Sequence, residues 1–143
     1  MNDMLWSIDP VNDSMEKTLE RMNEFAEGLR ITHECSIQLL VDEKVKSLKL
    51  DMKSRHEIFF IFKEALNNIV QHSRCSDAII HIYKVNSTLS IKIHNNGTGI
   101  EAQSIHTING IEEMKKRAGI LNAMLDIQTD KKGSSVILQV PLA

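Results

Sequence analysis

SRHEIFFIFKEALNNIVQHS, residues 54–73, decides how the rest of the chain is read. Phe59, Phe62, Leu66, Ile69 and Val70 recur with a helical period and fall on one broad face. Ile58, Phe60 and Ile61 carry that face almost all the way round the first turns, which predicts a central helix. Glu64, Asn67 and Asn68 interrupt it. Two adjacent asparagines cost a helix on the order of 1 kcal/mol relative to alanine, so their presence calls for a reason. Glu64, Asn68 and His72 are spaced i, i+4, i+8 and form one stripe, with Gln71 beside it. An acid, an amide oxygen and an imidazole in line can position a hydrated Mg²⁺ and a phosphate tail, because Mg²⁺ keeps several waters and takes few protein ligands. The same stripe also has the composition of the solvent edge of an amphipathic helix, and the helix alone leaves both readings open.

On the N-terminal side, DSMEKTLERMNEFAEGL (13–29) repeats Met15, Leu19, Met22, Phe25, Ala26 and Leu29 at helical spacing. Asp13 and Glu16 stand at capping-box spacing, so a helix is expected from about 14 to 29. SIQLLVD (36–42) has the content of a short strand, and KSLKLD (46–51) of another. Beyond the central helix the period switches to two: DAIIHIYK (77–84) and TLSIKIH (88–94) predict paired strands around an Asn86-Ser87-Thr88 turn. In the second, Leu89, Ile91 and Ile93 point one way and Ser90, Lys92 and His94 the other. A helix over roughly 109–122 carries Ile111, Met114, Ala118 and Leu121. MLDIQT (124–129) and SSVILQV (134–140) close the chain as strands joined by Asp130-Lys131-Lys132-Gly133. This order predicts an α/β (α+β) two-layer sandwich, with helices on one face of a mixed, mostly antiparallel sheet.

The 143 residues fit one domain with one sizeable core, and a hydrophobic content of 42% with 25% charged residues is ordinary for a globular protein. A net charge of −2 provides no basic field for nucleic acid or anionic membrane. Cys35 and Cys75 stand apart without metal or redox spacing and read as thiols of a reducing compartment. His56, His81, His94 and His106 show no zinc spacing. Met15, Met22 and Met114 read as core filler. No stretch has the length of a membrane span, and no signal peptide opens the chain.

The strand 88–94 runs into HNNGTGI (94–100), then a short segment EAQSIHTI (101–108), then Asn109-Gly110-Ile111 at the start of the next predicted helix. E-A-L-N-N-x-x-x-H, two strands, N-N-G-x-G and N-G-I, in that succession, resemble the GHKL superfamily of ATP-binding domains. More narrowly, IFKEALNNIVQHS resembles the N-box of two-component sensor histidine kinases. WSIDPVNDSMEKTLERMNEFA is similar to the stretch that joins their phosphoacceptor helices to the catalytic domain in one bacterial subgroup, so the resemblance covers nearly the whole chain.

The resemblance implies a protein histidine kinase domain that binds ATP and Mg²⁺ and transfers the γ-phosphoryl group to a histidine on a separate domain. Asn68 takes the position of the Mg²⁺-binding asparagine, Glu64 that of the catalytic N-box glutamate, and His72 a position that contacts phosphate. Asn95-Asn96-Gly97-Thr98-Gly99 falls on the first glycine box, with Asn95, Gly97 and Gly99 expected at the nucleotide. Gly110 falls on the second box, at a hinge between an ATP lid (101–108) and the helix, and Arg117 on an arginine common in the subgroup and expected at the cofactor. Asn95 stands where the family has an aspartate, Gln71 where a lysine is common, and Ile108 where the second box has its first glycine. An asparagine can still accept from the adenine amino group, without charge assistance. A β-branched residue restricts backbone approach to phosphate.

Residues 1–12 are expected to be a linker from a missing phosphoacceptor domain and 13–143 the catalytic domain. His33-Glu34 pairs a histidine with an acid, but beside a strand-like run, so the phosphoacceptor is expected upstream. The implied partners are the helical phosphoacceptor domain of the same kinase and a downstream response regulator. The implied parent is a homodimer anchored in a membrane, with this part in the cytoplasm. Two other readings fit the same residues: a nucleotide-poor docking or regulatory module, and a serine kinase of the anti-sigma type.

Overall fold

The computed structural model describes residues 14–33, 35–72, 77–96, 105–130 and 133–142. Along the chain these form α1 (Met15–His33), β1 (Ser36–Val41), α2 (Glu43–Lys46), α3 (Met52–His72), β2 (Asp77–Val85), β3 (Thr88–Asn95), α4 (Ile105–Ile120), β4 (Met124–Asp130) and β5 (Gly133–Pro141). The strands make a sheet in the order β1-β2-β3-β5-β4. β1 and β2 are parallel and every other neighbouring pair is antiparallel, as the mixed, mostly antiparallel sheet expected from the sequence requires.

Period-two patterning decides which face of the sheet is covered. Ala78, Ile80 and Ile82 of β2, Leu89, Ile91 and Ile93 of β3, and Val136, Leu138 and Val140 of β5 are all buried. Their alternates Ile79, His81, Lys92 and His94 are exposed, while Ser90 departs from the pattern and is buried. The covered face meets α3, whose Ile58, Ile61, Phe62, Ala65, Leu66 and Ile69 are each at most 2% exposed. Phe62 packs edge-on against Phe25 of α1 and stacks on Phe59. Met15, Met22 and Met114 fill the same core.

Several boundaries differ from the sequence reading. α1 continues to His33, because Gly28 is exposed on the helix surface and Thr32 Oγ1 donates to its carbonyl at 2.8 Å instead of the chain turning there. Its cap is Ser14, whose Oγ accepts from Lys17 N–H at 3.1 Å; Asp13, the expected cap, lies outside the described residues. KSLKLD forms no strand. Val45 is buried in the short helix α2, Leu48 and Leu50 pack on the core, and the Leu50 carbonyl accepts from Arg55 Nε of α3 rather than from a neighbouring strand. The β2–β3 turn places Asn86 at φ 54, a conformation asparagine tolerates in tight hairpins.

α4 begins at Ile105, so the last four residues of the expected lid form its first turn and Gly110 sits inside the helix rather than at its hinge. In sequence Ile105, Ile108 and Ile111 already recur at helical spacing. α4 ends at a turn in which Asn122 has φ 54, Asn122 N–H bonds Gly119 O and Ala123 N–H bonds Ala118 O, a Schellman stop.

α4 lies antiparallel against α3. Arg117 meets Glu57, and seven residues earlier on α4 Gly110 meets Glu64, seven residues later on α3. A Cβ on Gly110 would fall 2.6 Å from Asn68 Nδ2 and 3.4 Å from Glu64 Oε2, whereas one on Gly28 would meet nothing within 4 Å. Helix-interior Gly→Ala ordinarily stabilises by about 0.5–1 kcal/mol, and Gly28→Ala is expected to do so. At Gly110 the sign is expected to reverse, with a loss of about 1–3 kcal/mol from overpacking. Urea unfolding of the two variants measures this; a Gly110→Ala protein as stable as Gly28→Ala would mean that the helices do not approach here.

Candidate functional site

The last turns of α3 bring Glu64 and Asn68 to the contact with α4. Glu64 is half-buried, and Asn68 is 6% exposed. Among the described residues, the Asn68 Nδ2 atom has no hydrogen-bond partner. Leaving a buried polar atom unpaired costs about 1–3 kcal/mol, and such groups in native folds generally have a function outside the packing. Which end of an amide is nitrogen is an assignment, so either its donor or its acceptor end can meet a ligand. The missing Cβ of Gly110 lets this amide pack directly against the α4 backbone, with Glu64 Oε2 close by.

Asn95 closes the core-facing row of β3 and is 0% exposed, a polar residue where the alternation of Leu89, Ile91 and Ile93 would put an apolar one. Its backbone is registered against Ala78 and Ser134. Gly133, at φ 152, approaches so closely that a Cβ there would lie 2.0 Å from the Asn95 carbonyl oxygen. Only glycine accommodates both that dihedral and that contact. Asn96 has a structural role: its Oδ1 accepts from Asp77 N–H at 3.0 Å and its own N–H donates to Asp77 O at 3.1 Å, tying the end of β3 to the start of β2.

Of the residues singled out from the sequence, Glu64, Asn68 and Gly110 come together, and Asn95 is buried on the helix-facing side of the sheet. His72 ends α3 and Gln71 precedes it, but the side chains of both, like that of Ile108, lie outside the described residues, as do Gly97 and Gly99 altogether. Arg117 is placed elsewhere. Its Nη1 donates to Glu57 at 2.7 Å, its Nε to Glu113 at 3.3 Å, and its guanidinium lies 4.1 Å from the Phe60 ring centroid. The hydrogen bond to Glu57 is the main cause that raises its pKa, so the cation is permanent. Glu57, 6% exposed, was not singled out from the sequence, where it ends the polar run Lys53-Ser54-Arg55-His56 just before Ile58. Clefts of about 540 Å³ at Glu16, Glu20, Asn23 and Lys46, and about 480 Å³ at Asp51, Ser54, Lys84 and Asn86, carry polar side chains too, but none with a buried unpartnered atom among the described residues.

A carboxylate and a buried amide brought to one point by a close helix contact have the chemistry to hold a hydrated divalent cation. The amide can supply one ligand oxygen and the carboxylate can accept from coordinated water. The fully buried Asn95 suits recognition of a flat polar ligand edge.

No family model matches the chain. It is 24% identical over 144 residues, 99% of its length, to the sensor histidine kinase LiaS of Bacillus subtilis, and 27% identical over 97 residues to the sensor histidine kinase ComP of the same organism. It spans 39% of the length of LiaS and 13% of that of ComP. Among solved structures, the histidine kinase domain of the blue-light activated kinase EL346 from Erythrobacter litoralis superposes with a TM-score of 0.71 at 14% identity, over 91% of this chain and 64% of that one. Full-length ShkA in complex with AMPPNP gives 0.71 at 10% identity, over 88% and 29%. At such identities the structures speak for the fold, and LiaS and ComP for the sequence. The chain thus resembles sensor histidine kinases in sequence along nearly its whole length and shares the fold of histidine kinase domains, with Glu64, Asn68 and Gly110 brought together in it.

Proposed function

We propose that this domain binds Mg-ATP across Glu64, Asn68, Gly110 and Asn95 and delivers the γ-phosphoryl group to a histidine on a separate helical domain, in two-component signalling. The observation that carries the proposal is the buried Asn68 amide, whose Nδ2 has no partner among the described residues, packed against Gly110 beside Glu64. Similarity to LiaS over 99% of the chain supports the choice of reaction, and the AMPPNP complex of ShkA supports the choice of ligand.

In this reading the Asn68 side-chain oxygen is the metal ligand. When bound, Mg²⁺ neutralises phosphate charge. Glu64 accepts a hydrogen bond from a coordinated water or from the attacking imidazole and so orients it. Asn95 accepts from the adenine amino group inside a pocket shielded from water, where a neutral hydrogen bond is not competed away. His72, Gly97 and Gly99 complete the phosphate side. Phosphoryl transfer of this kind rests on positioning and charge neutralisation, so the domain acts only with its phosphoacceptor partner docked. A response regulator then receives the phosphoryl group, and the parent is a homodimeric, membrane-anchored kinase with this domain in the cytoplasm. Among the described residues, no helix is long and apolar enough to cross a membrane.

Calorimetric titration with ADP is expected to give tighter binding with Mg²⁺ than with chelator, and Asn68→Ala should abolish that difference. A full chelator effect in the variant would remove Asn68 from the metal site. Asn95→Asp replaces a neutral acceptor with one that is charged when bound adenine donates to it, a gain on the order of 1 kcal/mol or roughly fivefold in affinity, less the desolvation of the buried carboxylate. The gain should be confined to adenine nucleotides; equal gains for ATP and an inosine analogue would mean that Asn95 does not face the base.

A further inference from the structure

We infer that the Glu57–Arg117 pair is a positioning device for the nucleotide site: it sets the rotation and axial register of α4 on α3, and with them the contact of Gly110 with Asn68. The inference rests on the reading of Asn68 as the metal-binding residue. It gives Arg117 a role other than direct contact with the cofactor.

Arg117 is held from three directions. Glu57 and Phe60, both on α3, take its Nη1 and its flat face, and Glu113 on its own helix takes its Nε. A planar guanidinium that is both forked and stacked has little freedom to rotate or slide, unlike an ammonium. The Glu57 side chain is 7% exposed, so the pair is not one of the exposed bridges that contribute little. Removing one partner leaves a buried charge, and α4 can relieve it only by moving.

That movement reaches the site because of helical spacing. Gly110 and Arg117 are seven residues apart, about two turns, and so lie within roughly 20° of each other around α4. Glu57 and Glu64 stand in the same relation on α3. Met114, between Gly110 and Arg117, is 0% exposed and transmits a tilt or slip without absorbing it. Rotating α4 by one residue would present Asn109 or Ile111 to Asn68 where only a glycine fits, since a Cβ at Gly110 would already lie 2.6 Å from Asn68 Nδ2. The described contacts of Arg117 are thus two turns from the nucleotide residues but mechanically continuous with them.

The test compares Arg117→Lys and Glu57→Gln with Val140→Ala, a core variant on the sheet. The readouts are Mg-ADP affinity well below each melting temperature and the NMR resonances of the Asn68 side-chain amide and Gly110 amide in nucleotide-free protein. Both seam variants are expected to bind Mg-ADP about tenfold more weakly, with the two resonances displaced. The charge swap Glu57→Arg with Arg117→Glu should recover part of the affinity. Val140→Ala should lower the melting temperature and change neither readout. Seam variants that melt earlier yet keep wild-type affinity and resonances would overturn the inference, leaving the pair merely structural. If the wild type binds no nucleotide, the proposed function fails, and the resonances still decide whether the pair governs the Gly110–Asn68 contact. If Glu57→Gln does not fold, Arg117→Lys, which keeps the charge, decides alone.

Discussion

One helix has to satisfy two incompatible demands, and the rest of the molecule is arranged around that. α3 must be apolar enough to cover the sheet with Ile58, Ile61, Phe62, Leu66 and Ile69, yet it must also hold Glu64 and Asn68 in line near its end. Its first turns meet the first demand almost all round, and its later turns the second on a narrow stripe. A polar stripe on so buried a helix needs either solvent or a special neighbour. α4 is that neighbour, and it presents a glycine where the stripe comes closest.

The glycine is therefore not a flaw in α4. Within a helix it forgoes about 1 kcal/mol relative to alanine, but it lets two backbones approach with amide and carboxylate side chains between them. Gly119, on the same helix, meets nothing within 4 Å and has no such role. Gly133 is comparable in another setting, since its dihedral and its closeness to the Asn95 carbonyl fix the end of β3 from behind. Two glycines thus hold the two asparagines in place, one beside a side chain and one against a backbone.

The sheet, its covered face and the central helix were legible in the sequence because one period held over each whole element. Leu89, Ile91 and Ile93 announce the covered face, and the broad apolar face of residues 58–70 announces α3. What was not legible has local physical causes. Leu48 and Leu50 alternate like a strand, yet Leu48 N–H donates to Val45 O of α2 and Leu50 O accepts from Arg55 Nε of α3. Gly28 suggests a helix end, but on an exposed face a glycine can be carried through. The start of α4 was hidden because EAQSIHTI was read as a lid on the family's pattern, against the spacing of its own isoleucines. Of the site, Glu64, Asn68 and Gly110 were found from spacing and resemblance together. Glu57 was passed over because an acid at the end of the polar run 53–57 says nothing until its partner, sixty residues away, is known.

Asn95 shows how burial bears on the chemistry such a site can hold. At 0% exposure a carboxylate would have to give up its hydration, a penalty large enough to raise its pKa and favour the neutral acid unless nearby donors hold the charge. An amide gives up less and keeps one accepting oxygen whatever the pH. Its hydrogen bond is weaker than a charged one, but in a shielded position it loses less to competing water. On the proposed function, an asparagine here exchanges strength of recognition for a smaller desolvation cost, while Gly133 fixes the backbone at the end of β3. In such an arrangement, geometry supplies part of what charge would otherwise supply.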